Sequence, residues 1–187
     1  MAKHELFENE INYIQDEELR DFVRWFFDEK VGAWFWTSGA SSSGKYHPIF
    51  SQGEGGLVRH TRSVAMVCWE LLRMNSYAYM KDEYKDYAIV ACLLHDVCKY
   101  GVGNKIDKNA YKDHGKFAAE LVDFAWLDFF NKPAPEFLCS AIRTHMGQWG
   151  EEKPFTNIDR LVHLSDYIAS RPFWDIPELS ADANLPF

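Results

Sequence analysis

No run in this chain is long and apolar enough to cross a bilayer as a helix, which takes about 20 consecutive apolar residues. Positive charge is also scarce. The 20 lysines and arginines face 28 aspartates and glutamates, a formal charge of −8. A general duplex-DNA coat needs a basic face, so that class is excluded. A small anionic substrate, held by a few local cations and metal ions, is not. Cysteine is limited to four residues, Cys68, Cys92, Cys98 and Cys139, with no CxxC pair, each inside an apolar helical pattern. They are expected to be reduced core thiols of a cytosolic protein. The opening residues, Met-Ala-Lys-His-Glu-Leu-Phe-Glu, lack the apolar segment of a secretory signal, so a cytoplasmic location is the expectation. Internal repeats are absent.

What remains is helical. With 187 residues at 47% hydrophobic content, the chain has enough apolar surface for one sizeable core. The expected fold is all-α, a single domain over 1–187. N-terminal helices span 1–30, with apolar Ile11, Ile14, Leu19, Phe22, Val23 and Phe26 at helical spacing and Asp16 as a cap. The aromatic residues Phe22, Trp25, Phe26 and Phe27 suit a core or a homodimer contact. An irregular loop follows over 31–56, in which Ala33-Trp34-Phe35-Trp36-Thr37 reads as a short strand or an aromatic plug. Five helices are expected at 57–74, 83–99, 113–130, 134–147 and 157–170, then an irregular tail over 172–187. Within the loop, Gly39 to Lys45 nearly matches a phosphate-binding P-loop, but Tyr46 stands where the magnesium-binding hydroxyl belongs and Pro48 interrupts the helix that should follow. A Ser/Gly surface loop is the simpler reading.

One stretch carries a chemical oddity. The apolar run Ala91-Cys92-Leu93-Leu94 ends in His95-Asp96, with Lys99 three positions on. A buried ionised group costs several kcal/mol unless it is paired or metal-bound. Each of the other expected core helices also carries a polar residue on its apolar stripe: His60 between Leu57 and Val64, His114 ahead of Phe117 and Leu121, His145 after Leu138 and Ile142, Asp166 between Val162 and Ala169. A lone histidine on such a face is usually a core residue with a satisfied hydrogen bond. Four histidines and two aspartates spread over five helices, if they converge, supply nitrogen and oxygen ligands without thiolate. That set suits a divalent ion such as manganese, iron or zinc. Asp96 is placed to bridge two ions, as carboxylates do in two-metal hydrolytic centres.

The order His60, His95-Asp96, His114, His145, Asp166 resembles the HD superfamily of metal-dependent phosphohydrolases, over roughly residues 53–171. Leu93-Leu94-His95-Asp96-x-x-Lys99 resembles its core signature. Gly55-Gly56-Leu57-x-x-His60-Thr61 is similar to the start of the first helix in HD-domain bacterial 3′–5′ exoribonucleases, which also carry an upstream histidine; His47 is the candidate. Asp113-His114-Gly115, Ala141-Ile142-Arg143-x-His145-Met146-Gly147 and Leu164-x-Asp166-Tyr167-Ile168-x-x-Arg171 resemble stretches of small bacterial HD hydrolases, some of which cleave dinucleoside polyphosphates. The resemblance implies a compact HD-domain helical bundle. His60, His95, Asp96 and Asp166 match the ligands of mononuclear members, while His114 and His145 match histidines that hold a second ion in binuclear ones. Met146 stands where many binuclear sites place a further histidine, so one ion is expected and a second is possible, from among manganese, iron, zinc, cobalt, nickel and magnesium.

The expected activity is hydrolysis of a phosphoester or phosphoanhydride bond of a nucleotide. Asp96 and Lys99 are the candidate catalytic residues. Lys99, Arg62, Arg143 and His47 are the candidate substrate contacts, and Arg171 is a further cation. Lys99 also reads as a helix-end lysine meeting the dipole. Trp34, Trp36, Tyr46 and His47 are candidates to stack on a base or simply to pack. Lys105, Lys108, Lys112 and Lys116 form a local basic patch, and His4 and His163 read as incidental. The rival readings are a 3′–5′ exonuclease on single-stranded RNA or DNA and a non-catalytic nucleotide sensor.

Overall fold

The first long helix begins where its cap is. Asp16 accepts a hydrogen bond from the Leu19 amide at 3.1 Å and opens α2 (Glu17–Glu29), after the short turn of α1 (Glu8–Ile11). Buried Asp86 then accepts from the amides of Gln15 and Asp16, each at 2.9 Å, and ties that cap to the core helix that carries it. The computed structural model describes residues 2–41, 47–107 and 109–182. The P-loop-like stretch, with Lys45 and Tyr46, lies largely outside the described residues, as does Lys108.

After α3 (Ala33–Thr37) come α4 (Gly56–Leu72), α5 (Asp82–Leu94), α6 (His114–Phe130), α7 (Glu136–Thr144), α8 (Asn157–Ala169) and α9 (Pro177–Asp182). A two-stranded hairpin, β1 (Gly101–Val102) with β2 (Lys105–Ile106), is antiparallel with Gly101 opposite Ile106. Among the described residues the fold is all-α apart from that hairpin. Helices α4, α5, α7 and α8 pack on one another, and α6 lies on α7. A continuous apolar core runs from Phe7 to Ala169 and takes in Phe22, Phe26 and Phe27, so the N-terminal aromatic face is buried by this chain itself. Helix α8 starts with a capping box: Thr156 Oγ1 accepts from the Asp159 amide at 3.1 Å, and Asp159 Oδ2 accepts from the Thr156 amide at 2.9 Å.

Four expectations change. Residues 33–37, expected as a short strand or an aromatic plug, form a turn of helix that buries Trp34 and Phe35, and the hairpin that does form is tethered to it by Trp34 Nε1 donating to the Gly103 carbonyl at 2.9 Å. The tail is not wholly irregular, because α9 packs Leu179, with Ile176, against Phe50. The helices expected to reach 99 and 147 end at Leu94 and Thr144. His95 and His145 each bring ring Nδ1 to a carbonyl three residues back, Cys92 O and Ile142 O, at 2.7 Å. The side chain occupies the carbonyl that the next helical amide would use, and the helix stops there.

Candidate metal centre

Those early stops place the chemistry. His60 projects from α4, His95 and Asp96 follow the last turn of α5, His114 opens α6, His145 follows α7, and Asp166 sits on α8. The structure brings all six together, with donor atoms in overlapping groups no more than 4.8 Å across. His60 and His95 are fully buried and Asp96 is 1% exposed.

Three histidines are oriented by one device. His95, His114 and His145 each direct Nδ1 at the carbonyl three residues back, Cys92, Tyr111 and Ile142 respectively, all at 2.7 Å. Since a carbonyl only accepts, Nδ1 carries the proton and Nε2 presents a lone pair inward. The second and third can meet because α6 and α7 approach closely at Gly115, where a Cβ would lie 2.9 Å from the Arg143 carbonyl oxygen.

Asp96 lies between two groups. Its Oδ2 is 3.5 Å from His95 Nε2 and 3.7 Å from His60 Nε2, and Asp166 Oδ1 is 3.1 Å from His60 Nε2 and 3.8 Å from His95 Nε2. Its Oδ1 is 2.9 Å from His114 Nε2 and 3.7 Å from His145 Nε2. Lys99 Nζ donates to Oδ2 at 2.6 Å.

Whether a cation fits is decided by what these atoms lack. His60 Nε2, His95 Nε2 and Asp96 Oδ1 are buried without a well-formed hydrogen bond, a state that costs about 1–3 kcal/mol per group or more when charged. Burial works against charge on Asp96, yet Lys99 first, then His95 and His114, hold its carboxyl well below the usual range. Asp166 is lowered likewise, by its contact with His60 and by His95, against burial. Burial pushes His60 down, and it pushes His145 down to about 3, helped by His95 and His114. His95 goes the other way: burial opposes its protonation, but Asp96 and Asp166 draw it up, favouring there the positive charge that a metal ion would supply. Ionised carboxylates and mostly neutral imidazoles are the states that bind metal. The donor set of nitrogen and oxygen fits a first-row divalent ion.

The remaining candidates divide. Lys99 and His47 line a cleft of about 730 Å³ together with His114, His145 and Asp166. The His47 ring meets His60 edge-on at 5.2 Å, and burial, with His60 and Lys99 nearby, lowers its pKa to about 3. Arg62 is turned to buried Glu10, with Nε 3.0 Å from Oε1. Arg143 bonds Glu136 and Glu152 at 2.7 and 3.0 Å. Neither arginine points at the cluster. Two residues that pattern reading passed over or dismissed, His163 and Arg59, support the site. His163 Nδ1 meets the His145 carbonyl at 2.7 Å, and only glycine at 147, with φ 56°, leaves room, since a Cβ there would lie 2.1 Å from the ring. Buried Arg59 gathers the carbonyls of Phe50, Gln52 (3.1 Å) and Glu54 (2.8 Å) and pins the loop that leads into α4. No periodicity marks such partners, because their targets are carbonyls.

A profile of the HD domain matches residues 57–171. This chain belongs to the HD-domain family. The match opens at the first turn of α4 and closes at Arg171, enclosing the six clustered residues and leaving His47 just outside. The chain is similar to dihydroneopterin 2′,3′-cyclic phosphate phosphodiesterase of Methanocaldococcus jannaschii, with 25% identity over 166 residues, 84% of this chain. The chain spans 65% of the length of that relative. No solved structure matches it. Among the described residues no helix is long and apolar enough to cross a membrane.

Proposed function

We propose that this HD domain is a metal-dependent phosphohydrolase that cleaves a phosphoester bond of a small phosphorylated substrate, a nucleotide or a compound of similar build. The observation that carries the reading is the buried Asp96 carboxylate, shared between His60/His95 on one oxygen and His114/His145 on the other. His60, His95, Asp96 and Asp166 would hold one divalent ion; His114 and His145, with Asp96, would hold a second. When bound, such an ion supplies Lewis-acid polarisation of the phosphoryl group and a nucleophilic water near neutral pH.

The chain's own groups do the rest. His95, His114 and His145 keep their protons on Nδ1, where the carbonyls hold them, so no rotation is needed to present Nε2. Lys99 is the residue placed to neutralise charge on phosphate. Burial opposes its charge, but Asp96 keeps the ammonium protonated, and it opens on the cleft beside the cluster. A cleft of about 730 Å³ is the size of a small-molecule site and suits a single nucleotide better than a polymer. The M. jannaschii relative is named for cleaving a cyclic phosphodiester, which supports a phosphodiester or monoester substrate over an anhydride.

The test is metal analysis of the purified protein, then phosphate release across nucleotides and cyclic nucleotides with manganese, beside a labelled oligonucleotide. Turnover of small substrates that disappears in His95→Ala is expected. Processive shortening of the oligonucleotide without small-substrate turnover would favour the exonuclease, and tight nucleotide binding with no turnover under several metals would favour a sensor.

A further inference from the structure

An exposed tryptophan stands at the rim of the cleft. Trp149 ends the 3-10 turn Gly147–Trp149 and is 57% exposed. The loop that carries it is cross-braced: Lys153 Nζ donates to the carbonyls of Gly147 and Gln148 at 3.2 Å and of Gly150 at 2.8 Å. Tyr167 backs the indole, nearly parallel at 12° with centroids 5.9 Å apart. The Arg171 guanidinium sits 4.3 Å from the Tyr167 ring centre and 5.9 Å from that of Trp149. It is held there by Nε to the Tyr167 carbonyl at 3.1 Å and a terminal nitrogen to Ser170 Oγ at 3.0 Å.

Trp149, Ser170 and Arg171 of this assembly line the same cleft as His145 and Asp166. The assembly is also bound to the centre by the chain, because Tyr167 follows Asp166 and Trp149 lies four residues after His145. Trp34 and Trp36, the tryptophans that the sequence suggests for stacking, are spent on packing. Trp34 is 7% exposed, edge-on to Phe35 and Tyr100, and Trp36 packs on Phe7, Phe27 and Phe35.

We propose that Trp149, held by Lys153 and backed by Tyr167, is the platform on which a planar heteroaromatic ring of the substrate stacks, making this a site for phosphates that carry a purine- or pterin-sized ring rather than for ring-free sugar phosphates. The inference rests on the phosphohydrolase reading for the reaction but on its own geometry for the ring. An aromatic face offered on a rigid loop binds a flat ring without losing side-chain freedom at the moment of binding. Stacking on such a face is worth about 5- to 150-fold in affinity and tolerates different bases. Arg171, beside both rings, adds positive charge at the same rim.

Two measurements separate this from the reaction. In the first, metal-free protein in chelator is titrated calorimetrically with guanosine 5′-monophosphate and with ribose 5-phosphate. Trp149→Ala is expected to lose about 5- to 150-fold toward the guanosine ligand and nothing toward the ribose ligand, with Trp149→Phe retaining most of the affinity. In the second, manganese-loaded protein is assayed on guanosine 2′,3′-cyclic phosphate and on the matching methyl riboside 2′,3′-cyclic phosphate, where Trp149→Ala is expected to lower kcat/KM only for the first. If Trp149→Ala binds the guanosine ligand like the parent, or loses both ligands equally, the platform is wrong even where hydrolysis is intact. If the parent hydrolyses neither substrate but the binding difference persists, the phosphohydrolase reading falls and the platform stands.

Discussion

Lys99 Nζ donates to Asp96 Oδ2 at 2.6 Å, the same oxygen that faces His60 and His95. The ammonium therefore competes for a carboxylate that a metal ion would also claim. A cation at Asp96 would release Lys99 toward the cleft, where a phosphate would take it. Lys99→Met should accordingly hold at least as much metal as the parent and lower kcat by about 10²- to 10³-fold, the usual loss when a charge-stabilising donor is removed. Metal analysis beside steady-state kinetics checks both halves; loss of metal in this variant would make Lys99 a structural partner of Asp96 only.

Asp96→Asn keeps the shape and removes the charge shared by both groups of candidate ligands. Metal content and hydrolysis should both fall to background while helical content, by circular dichroism, stays that of the parent.

His163 does not line the cleft. It holds the His145 carbonyl, and its ring fills the space that Gly147 leaves. His163→Ala should weaken binding of a second metal equivalent by about 10- to 100-fold, as is usual for outer partners of metal ligands, and leave the first equivalent unchanged. Calorimetric metal titration resolves the two.

Arg62 faces Glu10, which is 1% exposed. Arg62→Ala should cost about 3–5 kcal/mol of stability, the range for breaking one side of a buried ion pair, with KM unchanged. Denaturant unfolding and kinetics on the same preparation separate stability from substrate contact.

The metal-free protein should lose stability in acid. His47 and His145, lowered to about 3, stay neutral in the fold while the unfolded chain takes up protons near 6.5, so stability falls as the pH drops through that window. The lowered Asp96 and Asp166 act in the same direction: their contribution is present above the unfolded value of 3.8 and is lost as the pH falls through their folded values. The raised His95, and the carboxyls of Glu10 and Asp86 that burial raises, oppose this; above pH 4 they stand against the lowered His47, His60 and His145, while Asp96 and Asp166 act only at lower pH. Thermal melts in chelator from pH 7.5 to pH 4 should fall steadily, and a melt that holds level would contradict the neutral state of His47 and His145.

Much of the plan is legible in the sequence, because burial imposes a period. An apolar stripe interrupted once per helix by His60, His114, His145 or Asp166 can be read without coordinates, and so can the capped start at Asp16. The charge of −8, the thiols without metal spacing and the all-α class follow from composition and pattern alone. Other features depend on contacts between segments far apart in the chain. Helix stops at Leu94 and Thr144 depend on imidazoles turning back to carbonyls, and a run of good helix formers does not announce that. Arg62 and Arg143 look alike as cations in the sequence, but tertiary packing gives each its own carboxylates. The two faces of Asp96, the support of His145 by His163, and Trp149 at the rim rather than Trp34 all arise the same way. Periodicity tells which side of a helix is buried; only the packed chain decides which polar atoms meet inside it.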